Sequence, residues 1–391
     1  MTVPPVRADD PGLADAAHDV KSAYVHIPFC RRRCPYCDFA VVEGVLDDRS
    51  HRRYVDAVIA EIAMESPFGP LGAINFGGGT PSAIAPEHIS TIVSELRNRF
   101  GVTEDVEVSI EVNPEDWTDS LADGLVAAGV DRVSIGAQSM SDNVLGALGR
   151  LHAADQVTHA VHRARSAGFR SVSVDLILGH PAESSDEWAR TVGQILSLPI
   201  DHVSTYALTV EPGTVFARLM TTPETAPDDD AQADRYELFT RLAGTEGIDR
   251  YEVSNHARPG HACRYNLSTW AHGEYIAFGL GAHDHRWGLR SRNHRRLDRY
   301  LESVEGGARP RIGSERLDGA DQERDRLMLG LRLAAGTPMS GFAARFVASD
   351  QALRLIEAGV MAVHDDRVVV LDPLRADMVA REALSVTTAD C

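Results

Sequence analysis

The stretch SAYVHIPFCRRRCPYC, residues 22–37, joins a strand-like segment to a loop that is rich in cysteine. Its first part, Ser22–Ile27, is rich in apolar and β-branched side chains, which predicts a buried β-strand. Cys30, Cys34 and Cys37 follow in the spacing C-x3-C-x2-C. Because parallel α/β folds place their sites at the carboxyl ends of strands, this loop marks a candidate site as well as a fold.

Strand-length apolar segments alternate with amphipathic helical segments along the next two hundred residues or so. The predicted strands are Ser22–Ile27, Ala73–Phe76, Val106–Val112, Arg132–Ile135, Ser171–Leu178 and His202–Leu208. The predicted helices between them are Arg49–Met64, Pro86–Phe100, Thr118–Ala128, Ala153–Ala167 and Ser184–Leu198. This alternation predicts an α/β fold with parallel strands and right-handed crossovers, either a complete or partial (β/α) barrel or a doubly wound sheet.

The sequence pattern divides the chain into four segments. Residues 1–20 predict a flexible tail without the features of a signal peptide, and residues 21–225 hold the βα units. Residues 226–320 begin with a helix and then become rich in His, Gly and aromatic residues without a clear period, so we expect irregular structure there. Residues 321–391 combine helices with a short strand, which predicts a winged-helix-like appendage.

Composition narrows the range of functions. Hydrophobic residues make up 43% and charged residues 25% of the 391, which is ordinary globular usage and excludes collagen-like or wholly disordered chains. A formal net charge of −18 argues against nucleic acid or an anionic membrane as the main partner. No apolar run is long enough for a transmembrane helix. Composition leaves peripheral membrane contact and the oligomeric state open.

The five cysteines do not form a disulfide framework, since their number is odd and three are clustered in one loop. Cys263 is isolated, and Cys391, at the end of the chain, is interpreted as a loose surface thiol. Without a signal peptide we expect a reducing compartment, the cytoplasm, where clustered thiols bind metals or act in redox chemistry.

Three thiolates on one short loop match three irons of a cubane [4Fe–4S] cluster and leave the fourth iron open to an external ligand. A ferredoxin would require a fourth cysteine in the loop. A structural zinc site is the alternative, with His26 or the distant Cys263 as its fourth ligand.

A glycine run and four polar side chains fall at the ends of the later strands. The run lies in NFGGGTP, residues 75–81, where it either exposes backbone N–H groups to a ligand or makes a tight turn. Glu111, Gln138, Arg150 and Asp175 lie at or near the ends of the following strands. They converge on one rim of the predicted sheet, although each alone is also typical of a cap or a paired core group. Asp175 lies inside an apolar strand and therefore needs a partner.

Together these motifs resemble the radical S-adenosylmethionine (SAM) superfamily. More narrowly, YVHIPFC, CPYCDF, SIEVNP, GAQS and LGRLH resemble the oxygen-independent coproporphyrinogen III oxidase group, and within it the HemW subfamily of heme chaperones. The resemblance runs from about Tyr24 to the C-terminus. It implies a partial (β/α)6 barrel followed by a winged-helix-like appendage.

The resemblance also implies cofactors and their contacts. Cys30, Cys34 and Cys37 would ligate a [4Fe–4S] cluster, and SAM would chelate its open iron. In enzymes of this kind the reduced cluster passes an electron to the sulfonium of SAM, and a 5′-deoxyadenosyl radical forms. The residues implied to contact SAM are Tyr24, Tyr36, Gly78, Gly79, Thr80, Glu111, Gln138, Arg150 and Asp175.

Two features separate a chaperone from an oxidase within this resemblance. The oxidases carry a further cysteine two residues past the third one, where this chain has Phe39. They also carry a longer segment ahead of the first strand. Both features favour a chaperone that binds heme and delivers it to an unidentified acceptor protein. Oxidative decarboxylation of coproporphyrinogen III is the alternative; we expect no such activity and assign no catalytic residue.

A heme-associated motif of the chaperones, H-N-x-x-Y-W, is only partly present. Asn266 and Trp270 match it, while Tyr265 stands in place of the histidine and Thr269 in place of the tyrosine. Tyr265, Asn266 and Trp270 are therefore the heme candidates, with a tyrosinate as the axial ligand. Other candidate ligands nearby, which are equally typical of solvated or capping groups, are His256, His261, Cys263, His272, His283 and His285.

Overall fold

The structure is a computed structural model that describes residues 11–44, 47–222 and 225–386. The first ten residues of the predicted tail and Cys391 lie outside the described residues. The strands are β1 (Ser22–Ile27), β2 (Phe29–Cys30), β3 (Val42–Glu43), β4 (Leu71–Gly78), β5 (Val102–Val112), β6 (Arg132–Gln138), β7 (Ser171–Leu178), β8 (His202–Ala207), β9 (Asp249–Arg250), β10 (Asn255–Ala257), β11 (Tyr275–Phe278), β12 (His283–Arg286), β13 (Leu289–Asn293), β14 (Arg311–Arg316), β15 (Thr337–Pro338), β16 (Met361–His364) and β17 (Arg367–Val370).

Helices cover the strands and build the C-terminal part of the chain. The α-helices are α1 (Pro11–His18), α2 (Asp48–Met64), α3 (Pro86–Phe100), α4 (Asp119–Ala127), α5 (Asp142–Ala147), α6 (Ala154–Ala167), α7 (Ser185–Leu196), α8 (Phe216–Leu219), α9 (Asp229–Thr245), α10 (Arg264–Trp270), α11 (Leu297–Glu305), α12 (Gly319–Gly330), α13 (Phe342–Val347), α14 (Asp350–Glu357) and α15 (Ala376–Ser385). Three short 3₁₀ helices lie at Pro81–Ala83, Pro114–Asp116 and Pro373–Arg375.

Six parallel strands form the partial barrel, in the order β1-β4-β5-β6-β7-β8. The prediction of a partial (β/α)6 barrel is confirmed. Strand β7 explains how an aspartate fits into an apolar segment. Its alternate residues Val172, Val174 and Leu176 are fully buried in the core beneath the helices, whereas Asp175 and Ile177 line the inside of the barrel.

Local sequence signals define where the helices begin and end. Ser184 caps α7 through a capping box with Glu187, so the backbone N–H groups of the first turn have acceptors. Thr118 caps α4 by accepting a hydrogen bond from the Leu121 N–H. Gly168 ends α6 in the left-handed region, with φ +95°, a conformation that glycine adopts without strain.

The expectation of irregular structure in residues 226–320 is wrong for much of that segment. Strand β11 pairs in parallel with β1, and β12, β13 and β14 continue the sheet outward in antiparallel pairs. Strand β10 extends the other edge by pairing with β8. Within the described residues the sheet thus has 12 strands. These strands have only two to six residues, which is too short for a readable period, and they form by pairing with an edge of the sheet that already exists.

The predicted tail is also structured in part. Residues 11–18 form α1, whose Ala14 and Ala17 are 5% exposed. The ring Nδ1 of His18 lies 2.9 Å from the Ala271 carbonyl oxygen, just past the end of α10. Asp15 pairs with Arg367 at 2.8 Å. A short amphipathic segment without a strong period therefore folds because the protein offers it an apolar surface.

The C-terminal part, from α12 onward, has its own small core. Strands β15, β17 and β16 form a three-stranded sheet against α12, α13, α14 and α15, as the winged-helix-like prediction requires. Ser349 caps α14 by accepting a hydrogen bond of 3.3 Å from the Ala352 N–H. No helix in the described ranges is long and apolar enough to cross a bilayer.

Candidate functional site

The cysteine loop leaves the carboxyl end of β1 and is closed at its base by the short parallel pair β2 and β3. Inside the loop, the Arg33 Nε donates to the Cys37 carbonyl oxygen at 3.0 Å. Burial raises the pKa of Cys30 to about 11 and also raises the pKa of Cys37. Both thiols are therefore protonated at neutral pH until a metal displaces the proton.

The three cysteines face a cavity of about 470 Å³ at the carboxyl ends of the barrel strands. Most of the residues predicted from the sequence meet there, although their positions in the chain are far apart. The cysteines and predicted SAM contacts that line the cavity are Cys30, Cys34, Tyr36, Cys37, Gly78, Gly79, Thr80, Glu111, Gln138, Arg150 and Asp175. Tyr24 is not among the lining residues.

The glycine run approaches its neighbours more closely than side chains would allow. A Cβ atom at Gly77 would lie 2.7 Å from the Glu111 Oε1, and one at Gly79 would lie 2.6 Å from the Pro28 carbonyl oxygen. Gly78 has φ +118°, a conformation that other residues rarely adopt. Its N–H donates to the Glu111 Oε2 at 3.3 Å. The glycine run therefore brings its backbone close to the neighbouring groups at the cavity, as expected for a loop that binds a ligand.

Glu111 and Asp175 form an acidic pair without a salt bridge to any described residue. Burial first, and then the charge of Asp175, raises the pKa of Glu111 to about 7. Burial also raises the pKa of Asp175, even though the Ser134 hydroxyl donates to it at 2.8 Å. Two partly buried carboxylates without a cationic partner among the described residues favour a bound cation or a proton.

Arg150 connects the acidic rim to the cysteine loop. Its Nη2 donates to the Asn113 Oδ1 at 2.6 Å and to the Gly136 carbonyl oxygen at 3.0 Å, while its Nη1 lies 3.6 Å from the Cys34 Sγ. Its Nε is buried and has no partner within the described part of the chain. The guanidinium therefore holds a charge beside a thiol that a cluster would deprotonate.

Asn113 is a site residue that the sequence reasoning missed. Its Nδ2 donates to the Thr80 Oγ1 at 2.9 Å, and the Thr80 hydroxyl in turn lies 3.7 Å from the Cys30 Sγ. With Arg150 it completes a polar chain from Cys30 to Cys34. Its position two residues after Glu111, on the same side of an extended segment, was the signal available in the sequence.

Gln138 reaches the cavity through an unusual backbone conformation. It has φ +66°, and the pairing register of β6 shifts between Ile135 and Gln138. A non-glycine residue in this region costs free energy and is frequent at functional sites. The absence of a side chain at Gly136 leaves room for the Gln138 amide, whose Nε2 would lie 3.0 Å from a Cβ there.

The two predicted tyrosines occupy different places. Tyr36 lines the cavity and packs near Phe216, with 6.2 Å between ring centroids. Tyr24 lies below the cavity, where its hydroxyl donates to the His26 Nδ1 at 3.1 Å. Its ring stacks on Tyr265 at a centroid distance of 6.0 Å. Tyr24 therefore lies further inside the barrel than the glycine run.

The donors proposed for a zinc site are not available in the structure. The His26 Nε2 donates to the Ala40 carbonyl oxygen at 2.8 Å, so both of its ring nitrogens are engaged. Cys263 is buried away from the cavity, and burial raises its pKa to about 12. Among the described residues, no three His, Cys, Asp or Glu side chains are arranged to hold one metal ion. A cubane cluster binds each thiolate to a separate iron and does not need that convergence.

The heme candidates from the partial motif lie outside the cavity lining. Tyr265 packs between Tyr24 and Tyr275, and burial raises its pKa well above the ordinary value. Asn266 hydrogen-bonds the Tyr251 hydroxyl. The Arg332 guanidinium stacks on Trp270, 4.7 Å from its ring centroid. The three side chains thus have partners within the protein, and Tyr265 is held neutral.

The histidines named as alternative ligands are also outside the cavity lining. His256 is buried, and desolvation lowers its pKa to about 3. His272 and His285 contact each other with 4.6 Å between ring centroids. His261 lies 3.7 Å from Asp201, and His283 is exposed.

Comparison with known proteins agrees with this geometry. The family model of the radical SAM superfamily matches residues 24–195. A heme chaperone HemW of Mycobacterium tuberculosis is 37% identical over 386 residues, which cover 96% of this chain and 97% of the relative. The chain belongs to the HemW family of radical SAM proteins. The HemW of Escherichia coli is 36% identical over 265 residues, covering 67% of this chain and 69% of that protein.

The fold of the HemW family is shared with an enzyme structure. The coproporphyrinogen III oxidase HemN from Escherichia coli superposes with a TM-score of 0.82, covering 96% of this chain and 92% of that one. Sequence identity between them is 21%, so the likeness concerns the fold alone. The structural similarity supports the partial barrel that was predicted for residues 21–225. It says nothing about the activity of this chain.

Proposed function

We propose that this protein is a heme chaperone that holds a [4Fe–4S] cluster with SAM and delivers heme to an acceptor protein. The observation that carries the proposal is the similarity, over most of the chain, to relatives named heme chaperone HemW. The four cysteines in the described residues are free thiols, which is typical of a reducing compartment such as the cytoplasm.

The cavity fits the two cofactors that the superfamily implies. Cys30, Cys34 and Cys37 are the thiolates for three irons, and Arg150 would offset part of their charge. When bound and reduced, the cluster would supply an electron to SAM. The residues of this chain would bind and orient the ligand: backbone groups of the glycine run would meet its amino acid part, and Glu111 with Asp175 would neutralise its positive charges.

SAM affinity is expected to fall as the pH is lowered through 7. In the free protein Glu111 has a pKa of about 7, and a cationic ligand favours the carboxylate form. Above that pH Glu111 is already ionised. Below it, SAM binding must displace a proton from Glu111, so the affinity for SAM should drop by up to roughly tenfold per pH unit. Equilibrium titrations between mildly acidic and mildly basic pH measure the slope. A Glu111→Gln variant should bind weakly and without this slope; an identical slope in that variant would assign the titration to another group.

Heme binding without oxidase turnover is the expected result for the anaerobically reconstituted protein. Phe39 lines the cavity and is 58% exposed. It occupies the sequence position at which the oxidases carry a further cysteine. Heme loading is followed by absorbance, and transfer is followed with apomyoglobin as a generic acceptor. Oxidase activity is measured separately with coproporphyrinogen III, SAM and a reductant. Absence of heme binding would remove the proposal, and clear turnover of the porphyrinogen would favour an oxidase instead.

A further inference from the structure

The mouth of the cavity carries two exposed apolar side chains. Phe39 is 58% exposed and Leu151 is 47% exposed, and both line the same cavity. They come from different elements, since Phe39 follows the cysteine loop and Leu151 follows α5. Single exposed apolar residues are ordinary, but two across one concave opening form a binding surface for a flat apolar ligand.

Guanidinium groups flank both side chains. Arg33 donates to the Phe39 carbonyl oxygen at 3.4 Å, and Arg295 donates to the neighbouring Asp38 carbonyl oxygen at 2.5 Å. Arg32 donates to the Arg150 carbonyl oxygen at 3.3 Å, directly beside Leu151. All three are exposed, and their acceptors in the described residues are backbone carbonyls rather than carboxylates.

The described lining of the whole cavity balances four arginines against four acidic residues, Glu111, Glu115, Asp175 and Glu211. The guanidinium groups without a carboxylate partner are therefore a local feature of the opening, in a chain whose formal net charge is −18. Arg31 differs from these arginines because it forms a salt bridge with Asp116 at 2.8 Å, which neutralises its charge. Uncompensated guanidinium groups around an apolar opening favour a ligand that is both flat and anionic. A porphyrin with carboxylate side chains has both properties.

We propose that the mouth formed by Phe39, Leu151, Arg32 and Arg33 binds the porphyrin ring of heme. This inference rests on the proposed heme-chaperone function and gives its cargo a site. The apolar side chains contact the ring, and the arginines pair with the propionates. A cavity of about 470 Å³ suits one small molecule, so with SAM inside, the porphyrin rests at the opening and stays accessible to an acceptor.

The cavity lining also predicts how the ring is held. Among the described residues that line it there is no histidine or methionine, and the three cysteines belong to the cluster. Tyr36 and Tyr206 also line it, but desolvation raises the pKa of both phenols well above the ordinary value, so neither is a ready tyrosinate ligand. Binding therefore uses the faces and carboxylates of the macrocycle instead of a bond to iron. Iron-free protoporphyrin IX is expected to bind within tenfold of heme, and heme dimethyl ester, which lacks the propionate charges, is expected to bind at least roughly tenfold more weakly.

The test uses the full chain with its cluster reconstituted and titrates heme, protoporphyrin IX and heme dimethyl ester. Phe39→Ala and Leu151→Ala are each expected to weaken heme roughly tenfold, because the ring loses an apolar contact. Arg33→Gln should weaken heme but leave the affinity for the dimethyl ester unchanged. Matched controls are Leu371→Ala, at a side chain that is 50% exposed in the C-terminal part, and Arg316→Gln, whose guanidinium also donates to a backbone carbonyl.

The outcomes separate this inference from the proposed function. No heme binding by the wild type would defeat the proposed function itself. Heme binding that persists unchanged in both Phe39→Ala and Leu151→Ala, or that is lost with iron-free protoporphyrin IX, would overturn the mouth as the site while leaving the chaperone function in place. Iron content and SAM affinity report whether Phe39→Ala keeps the loop formed; if it does not, Leu151→Ala decides alone.

Discussion

A Cys34→Ala variant, reconstituted anaerobically with iron and sulfide, is expected to hold almost no cluster. The three thiols of one loop are the proposed donor set, and Cys34 is the member beside the Arg150 guanidinium. Removing it leaves two thiolates, which cannot fix three irons of a cubane. Iron and sulfide content per chain, together with the visible absorbance, measure the loss.

The matched control is Cys263→Ala, which removes a thiol that is buried away from the cavity. This variant should keep its full iron content, and circular dichroism of both variants checks that the fold is retained. A Cys34→Ala protein with full iron and sulfide would show that the cluster is held elsewhere.

A variant with both Glu111→Ala and Asp175→Ala is expected to lose SAM affinity by about a hundredfold or more while its iron content stays the same. Each carboxylate faces the cavity and has no salt bridge within the part of the chain that the structure describes, so its charge is available to a cationic ligand. Hydrogen bonds to charged groups contribute about 1.5–3 kcal/mol each, and two such losses give this magnitude. Equilibrium binding of SAM to the reconstituted protein is the measurement.

Glu104→Gln is the control for that double variant, because Glu104 is an exposed carboxylate at the opposite end of β5. It changes the net charge of the same strand without touching the cavity, so SAM affinity should be unchanged. Equal affinity in the wild type and in the double variant would exclude this pair as the SAM site.

The strands of the barrel could be predicted because the apolar and β-branched residues of each strand indicate by themselves that it is buried. Ser22–Ile27 and Ser171–Leu178 have the predicted bounds, since both combine apolar side chains with β-branching over a single run. The convergence of Glu111 and Asp175 on one rim followed from a general property of parallel strands. These predictions needed no knowledge of contacts between distant segments.

Other features depend on partners far away in the chain and could not be read locally. The helix Pro11–His18 is ordered by a surface that α10 and the C-terminal part provide. Asn113 matters because Thr80 and Arg150 lie on either side of it. Tyr265 occupies the histidine position of the heme-associated motif but packs against Tyr24 inside the protein. A comparison of sequence motifs could not indicate this contact.

The pairing of β1 with β11 has a consequence for biosynthesis. Strand β1, which carries the cysteine loop, lies between β4 and β11, yet β11 is made much later than β4 as the chain leaves the ribosome. Until Phe278 has emerged, one edge of β1 is an open template for unwanted strand pairing. Nascent chains that stop before β11 are therefore expected to aggregate more readily than the full chain, even though their cysteine loop is already complete.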